Sequence, residues 1–281
     1  MIVDLKRRVR FSAAHNYWIN GLSLEQNESL FGAYARAEGH GHNYLVEVTA
    51  SGGLDERTGM VVNIAEIDHI LKSEVVAVLD GRFLNKEVEY FLTRPATLEN
   101  ISAFVFERTS PRLPTGVALT GVRVWETTDL WADRTKRGET MSVSLTRAYD
   151  FSASHRLHSK KLTDDENREI FGKCNNPNGH GHNYEVEVTI SGEPDERTGM
   201  LYSLEALDQV VEEEVLLPFD HKHLNLDVPD FADRNPTSEV LTVVIWERLA
   251  RRISVSGNPR LSKVLVRETA RNSFEYRGEE I

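Results

Sequence analysis

An α+β fold built twice in tandem is predicted by three features of this 281-residue chain. The pentapeptide H-G-H-N-Y occurs at 40–44 and again at 180–184. Each copy follows an F-S-A-x-H segment, at 11–15 and 151–155, whose histidine lies 25 positions before the histidine pair. Around these motifs, stretches of period two alternate with stretches of period near 3.6, the pattern of strands interrupted by amphipathic helices. The offset of 140 also relates D-E-R-T-G-M at 55–60 to 195–200 and Glu99 to Glu239, and it becomes 142 by Glu126 and Glu268. One duplicated domain explains every match. The duplication sets the domain boundaries at 1–140 and 141–281, with the polar segment D-R-T-K-R-G-E-T (133–140) as linker.

Each repeat reads strand, strand, helix, helix, strand, strand. The first strand is the run that ends in F-S-A-x-H. In the second, Tyr184, Val186, Val188 and Ile190 alternate with Glu185, Glu187 and Thr189, and Tyr44, Val46, Val48 and Ala50 repeat the pattern. Asn63 with Glu66 forms a capping pair before a helix whose apolar face is Ile64, Ile67, Leu71 and Val75; Leu204, Leu207, Val211 and Val215 match it. The second helix starts near Thr97 or Thr237, each a residue type that caps well. Alternation returns at 122–125 and 263–267. A four-stranded antiparallel sheet with two helices on one face leaves its edges free, and free edges are either blunted or used for association. Edge-to-edge oligomerisation, closing a barrel, is therefore expected.

Composition narrows the function classes. A hydrophobic share of 40% is enough for a core, and no apolar run is long enough to span a membrane. With no secretory pattern at the N-terminus, a cytoplasmic protein is expected. The net charge of −11 argues against a nucleic-acid partner, because no basic face dominates to neutralise phosphates. The single cysteine, Cys174, leaves no internal disulfide and suits a reducing compartment.

The repeated histidines point to metal. Residues two apart on a strand face the same way, so His40 with His42, and His180 with His182, offer two imidazoles to one ion across a slim glycine. His15 and His155 supply a third from the adjacent strand. Three neutral imidazoles are a common catalytic zinc set because they leave a position open, whereas structural sites are closed by four protein ligands. A lone H-x-H says little; a triplet recurring in register says much more.

The stretch F-G-K-C-N-N-P-N-G-H-G-H-N-Y (171–184), with F-D-H-K-H-L-N (219–225), N-P-T-S-E (235–239) and R-E-T around Glu268, closely resembles the 6-pyruvoyltetrahydropterin synthase family across the whole second repeat. The first repeat resembles it more loosely. The resemblance implies two tandem tunnelling-fold (T-fold) domains, whose sheets join between subunits into a barrel with active sites between subunits. It also implies conversion of 7,8-dihydroneopterin triphosphate to 6-pyruvoyltetrahydropterin, with loss of triphosphate and no redox cofactor. Carried over to this sequence, it assigns Zn²⁺ to His155, His180 and His182, the base to Cys174, the proton relay to Asp220 and His221, and the pterin anchor to Glu268, with Thr237 and Glu239 lining the pocket. A thiol needs a nearby cation to act as a base, and a carboxylate suits the two parallel N–H donors of a pterin edge. The plain alternative for Thr237 and Glu239 is a helix cap and a first-turn acid.

The first repeat keeps His15, His40, His42, Asp80, Thr97, Glu99 and Glu126, but Tyr34 replaces Cys174 and Gly81 replaces His221. It is expected to hold zinc and a pterin-like ring while lacking the proton-handling groups. Glu38, beside the histidine pair, is an alternative base there. Two other readings stand beside the synthase: the sister 6-carboxytetrahydropterin synthase, which typically has a shorter gap than the five residues between Cys174 and His180, and a non-catalytic pterin-binding protein. Arg156, Lys160, Lys161 and Lys173 are candidates for the triphosphate by charge alone. If barrels close from three like domains, a homotrimer forming a pseudo-hexamer, with a ring of first repeats stacked on a ring of second repeats, is the simplest assembly.

Overall fold

Unusually long first strands frame both repeats of the computed structural model, which describes residues 1–278. The chain divides into two units: Met1–Thr146 with Ser191–Glu205, and Arg147–Ile190 with the chain from Ala206 onward. In the first unit, β1 (Ile2–His15) leads to a short helix α1 (Leu24–Phe31), β2 (His40–Gly53), α2 (Ile64–Leu71), α3 (Leu98–Thr109), β3 (Val117–Thr127), β4 (Leu130–Arg137) and β5 (Thr140–His155), which runs on into the second unit. The strand order here is β1-β2-β3-β4-β5. β1 and β2 pair antiparallel with Val9 opposite Val46, Phe11 opposite Tyr44 and His15 opposite His40.

Period-two alternation buries Tyr44, Val46, Val48 and Ala50 on one face of β2, and α3 packs on β3 and β4 from that side. Ile67, Leu71, Leu98, Ile101 and Val105 are fully buried there. Each such side chain contributes roughly 1.5–3 kcal/mol relative to exposure. Asn63 caps α2 by accepting the N–H of Ala65 at 2.9 Å. The helix then passes through a π turn at Lys72–Val76. Such turns insert one residue and redirect the chain beyond them, frequently at functional sites.

The second unit repeats the plan with α4 (Asp164–Phe171), β6 (His180–Gly192), α5 (Leu204–Val211), a two-residue β7 (Lys222–His223), α6 (Ser238–Leu249), β8 (Arg260–Thr269) and β9 (Asn272–Tyr276). Its strand order is β5-β6-β8-β9, with β7 parallel to β5. A π turn recurs at Glu212–Leu216, four residues before Asp220.

Two expectations need correction. The segment 133–140 is not a linker: Leu130–Arg137 is a strand and Thr140 opens the next, so only Gly138 and Glu139 turn the chain. Charged side chains that read as linker are the exposed face of a hairpin. The helices α1 and α4 were also unforeseen. Both carry reciprocal capping boxes, Ser23 with Gln26 and Thr163 with Glu166, a pattern readable in sequence but attached to only eight residues each. No described helix is long and apolar enough to cross a membrane.

Candidate active site and metal centres

Strand alternation sets His180 and His182 on one face of β6, and His155 closes β5 beside them, almost fully buried. The ring centroids lie 4.7 Å (His155–His180), 5.3 Å (His155–His182) and 4.9 Å (His180–His182) apart. His155 Nδ1 is 2.8 Å from the Pro236 carbonyl. A carbonyl only accepts, so Nδ1 carries the proton and Nε2 turns its lone pair inward. That Nε2 is 3.3 Å from His180 Nε2, and His182 Nε2 is buried without a hydrogen-bond partner. Burial lowers the pKa of His155 and of His180, favouring the neutral form that a metal requires. One ligand atom from each of the three histidines falls within a 4.8 Å cluster. A tetrahedral ion with ~2.0–2.2 Å arms spaces its ligands by about 3.3–3.6 Å, and the 3.3 Å between His155 Nε2 and His180 Nε2 matches that spacing.

Glu268 stands beside this cluster because of a bulge: the β8–β9 register slips between Arg267 and Thr269. Bulges re-aim side chains. The Ser238 hydroxyl donates to Glu268 Oε1 at 2.7 Å and Asn272 Nδ2 to Oε2 at 3.5 Å, while His182 Nε2 lies 3.7 Å away. Burial pushes the Glu268 pKa up, but the Ser238 bond and the neighbouring imidazoles outweigh it and hold the carboxyl low. Thr237 caps α6 by accepting the Val240 N–H at 3.3 Å. Glu239 is exposed and borders a cavity of about 980 Å³ that Arg156, Lys160 and Lys161 also line. Lys173 is not among the residues lining that cavity.

Cys174 lies half-buried in the turn Gly172–Asn175, its carbonyl accepting the Leu157 N–H at 2.9 Å. Asp220 accepts the Ser152 N–H and the His221 Nδ1–H, both at 2.8 Å, and these bonds, the first above all, hold its carboxyl below the usual range. His221 has φ +56°, the only positive value at a described non-glycine residue. Such strain costs roughly 1–3 kcal/mol and clusters at functional sites. Its imidazole is 82% exposed, held by Asp220 and turned to solvent.

The first repeat preserves the scaffold. His15 Nδ1 is 2.8 Å from the Ala96 carbonyl, and the His15, His40 and His42 centroids are 4.7–5.2 Å apart. Burial lowers His15 to about 3 and His42 to about 4. The Tyr17 N–H donates to the Tyr34 carbonyl at 3.0 Å, as Leu157 does to Cys174, and the Tyr34 ring stacks on Tyr17 at 5.3 Å. Gly81, at φ +71°, makes the turn that His221 makes under strain. Thr97 and Glu99 are buried: the Thr97 hydroxyl donates to the Gly199 carbonyl at 2.9 Å, and Glu99 accepts the Leu201 N–H at 2.8 Å. Both side chains are thus committed to the loop at Gly199–Leu201.

The 6-pyruvoyl tetrahydropterin synthase family profile matches the chain twice, over residues 4–137 and 144–279. The chain belongs to this family. It is a tandem duplication of it, with the tunnelling fold in each half, and membership makes it an enzyme of the lyase class. It is 49% identical over 142 residues to the human 6-pyruvoyl tetrahydrobiopterin synthase, covering 50% of this chain and 96% of that one. The Poecilia reticulata 6-pyruvoyl tetrahydrobiopterin synthase is also 49% identical, over 135 residues, covering 48% of this chain and 90% of that one. The solved Caenorhabditis elegans 6-pyruvoyl tetrahydropterin synthase superposes with a TM-score of 0.47 at 45% identity, covering 49% of this chain and 96% of that one.

Ser238, Asn272, Ser152 and Pro236 were not foreseen as parts of this synthase-family site. Each acts on a residue that was: Ser238 and Asn272 hold Glu268, Ser152 holds Asp220, and the Pro236 carbonyl sets the tautomer of His155. The adjacency of Ser238 to Thr237 was the available signal. Long-range main-chain bonds leave no trace in sequence.

Proposed function

We propose that the chain converts 7,8-dihydroneopterin triphosphate to 6-pyruvoyltetrahydropterin with loss of triphosphate, and that the chemistry belongs to the second repeat, 141–281. The observation that carries this reading is an asymmetry. An open set of three inward-facing imidazoles is present in the same repeat as Cys174 and the Asp220–His221 pair, whereas the first repeat has Tyr34 and Gly81 at the matching positions.

Zinc held by His155, His180 and His182 would act as a Lewis acid, acidifying the carbon-bound protons of a coordinated hydroxylated side chain. Cys174 takes such a proton. His221, oriented by Asp220, relays it, so that hydrogens leaving the side chain return to the ring and no external oxidant is needed. Glu268, pre-set by Ser238 and Asn272, accepts the paired N–H donors of the pterin edge. Asp233, Glu239 and Glu247 also border the cavity that Arg156, Lys160 and Lys161 line, and Lys160 pairs with Asp233 at 3.1 Å, so Arg156 and Lys161 are the cations proposed to meet the triphosphate.

The outward imidazole of His221 fits a site completed by a second copy of the chain. A further asymmetry supports this. The Asx turns at Asp55 and Asp195 are alike: each aspartate accepts from the residues two and three ahead, with Gly59 and Gly199 both at φ +71°. Gly199 and Leu201 are buried on Thr97 and Glu99, while Gly59 and Met60 are exposed, as is Glu239. Thr58–Val61 of one chain therefore docks on Thr237 and Glu239 of the next. Such a head-to-tail contact closes a ring in which first and second repeats alternate, unlike the stacked rings of like repeats expected from the sequence.

Turnover of dihydroneopterin triphosphate by the purified chain, with the product identified by mass, tests the reading. The 6-pyruvoyl product is expected. A 6-carboxy product would move the chain to the sister reaction, and pterin binding without turnover would make it a binding protein.

A further inference from the structure

Glu126 and Glu268 occupy matching bulges, but their surroundings differ. Glu268 is held by Ser238 and Asn272. The offsets relating the repeats, 140 at the helix and 142 at the last strands, place Leu98 and Leu130 where those two donors stand. Both leucines are buried, at 0% and 3% exposure. The two residues that donate to Glu268 thus have buried leucines as their counterparts in the first repeat. Glu126 is itself buried, with Oε1 3.4 Å from His42 Nε2 and Oε2 3.7 Å from His15 Nε2. One of its oxygens falls within the 4.8 Å cluster of ligand atoms from His15, His40 and His42, whereas among the described residues the corresponding cluster in the second repeat is the three histidines, with Glu268 farther out at 3.7 Å from His182 and 4.0 Å from His155.

We infer that Glu126 is a metal ligand, closing His15, His40 and His42 into a four-ligand centre. The first repeat then carries a coordinatively complete, structural ion, and the second keeps its open position. A carboxylate oxygen is an ordinary zinc ligand beside imidazole nitrogens, and Glu126 lies 3.4 Å from His42 Nε2 and 3.7 Å from His15 Nε2. Three nitrogens and one oxygen are a donor set that suits zinc. The inference rests on the histidines being metal ligands, as proposed above, and not on the reaction. A cavity of about 1150 Å³ borders His42 and Glu126, so small anions have a route to this centre. Indifference to them would reflect filled coordination rather than blocked access.

The test uses full-length His155→Ala, which keeps the first centre, and His15→Ala, which keeps the second. Each is loaded with cobalt(II), and its visible spectrum is titrated with azide. The first centre should show a four-coordinate spectrum that azide leaves unchanged, and the second should shift. Glu126→Gln in the His155→Ala background should make the first centre azide-responsive and weaken cobalt binding by more than the ~10–100-fold typical of losing an outer-shell partner. Leu98→Ser in the same background restores the hydroxyl that Ser238 provides. It should draw the carboxylate off and open the centre without removing any ligand. An azide-responsive first centre with Glu126 and Leu98 intact overturns the inference, as does a first centre that binds no cobalt. Absence of cobalt from both centres would also remove the metal reading beneath it.

Discussion

Glu99 accepts the backbone N–H of Leu201 at 2.8 Å, so a carboxylate of the first repeat is committed to a loop whose sequence belongs to the second. Burial pushes the Glu99 pKa up from 4.5 to about 7, with the Leu201 bond pulling the other way. Between those values the folded chain holds a proton that the unfolded chain has released. The contribution of this group to stability is therefore greatest below about 4.5, falls as pH rises, and levels off above about 7. Glu99→Gln keeps an acceptor for Leu201 and removes the titration. The stability difference between Glu99→Gln and wild type, from denaturant midpoints, should grow in favour of glutamine across this window. A difference that stays flat with pH would sink the assignment.

The proposed docking of Thr58–Val61 on Thr237 and Glu239 of a second chain is open to cross-linking. In a Cys174→Ser background, Met60→Cys combined with Glu239→Cys should form disulfides between chains, giving a ladder on a non-reducing gel that ends at the ring size found by light scattering. Only intrachain products, or a monomer at working concentration, would exclude this contact.

Mixing supplies a functional version. If Cys174 of one chain works with Asp220 and His221 of its neighbour, then Cys174→Ala and His221→Ala chains, each inactive alone, should regain part of the wild-type rate once subunits exchange. Failure to recover activity in demonstrably mixed oligomers would place the whole proton relay within one chain.

The duplication, the strand–helix order and the histidine triplets were legible because each depends on side-chain type at fixed local spacing. Period two around His180 and His182, and capping by Asn63, Thr97 and Thr237, carried directly into the fold. The features that escaped depend on pairing across the chain. That 133–137 is a strand follows from β4 pairing with β3 from Gly121 to Thr127, a partner the charged segment does not announce. The burial of Thr97 and Glu99 follows from a loop about 100 positions away, hydrogen-bonded through its backbone. The difference of Leu98 against Ser238 and Leu130 against Asn272 was present in the sequence, but only the structure shows that Ser238 and Asn272 donate to Glu268.

The division of labour between repeats yields the most discriminating prediction. Cys174→Ala removes the proposed base but none of the imidazoles and not Glu268, so zinc content and pterin binding should persist while turnover falls by ~10²–10⁴-fold, the usual contribution of a general acid–base group. Tyr34→Ala, at the matching position of the first repeat, opens a gap beside Tyr17, with which it stacks at 5.3 Å. It should lower the melting temperature while leaving turnover per folded chain nearly unchanged. Glu268→Gln should raise KM more than it lowers kcat, because an amide offers one acceptor oxygen where the carboxylate offers two. Single-turnover reaction in deuterated water separates these effects: Cys174→Ala should lose solvent deuterium incorporation together with product. Wild-type incorporation in Cys174→Ala would take the base role from the thiol, and its loss in folded Tyr34→Ala would place chemistry in the first repeat.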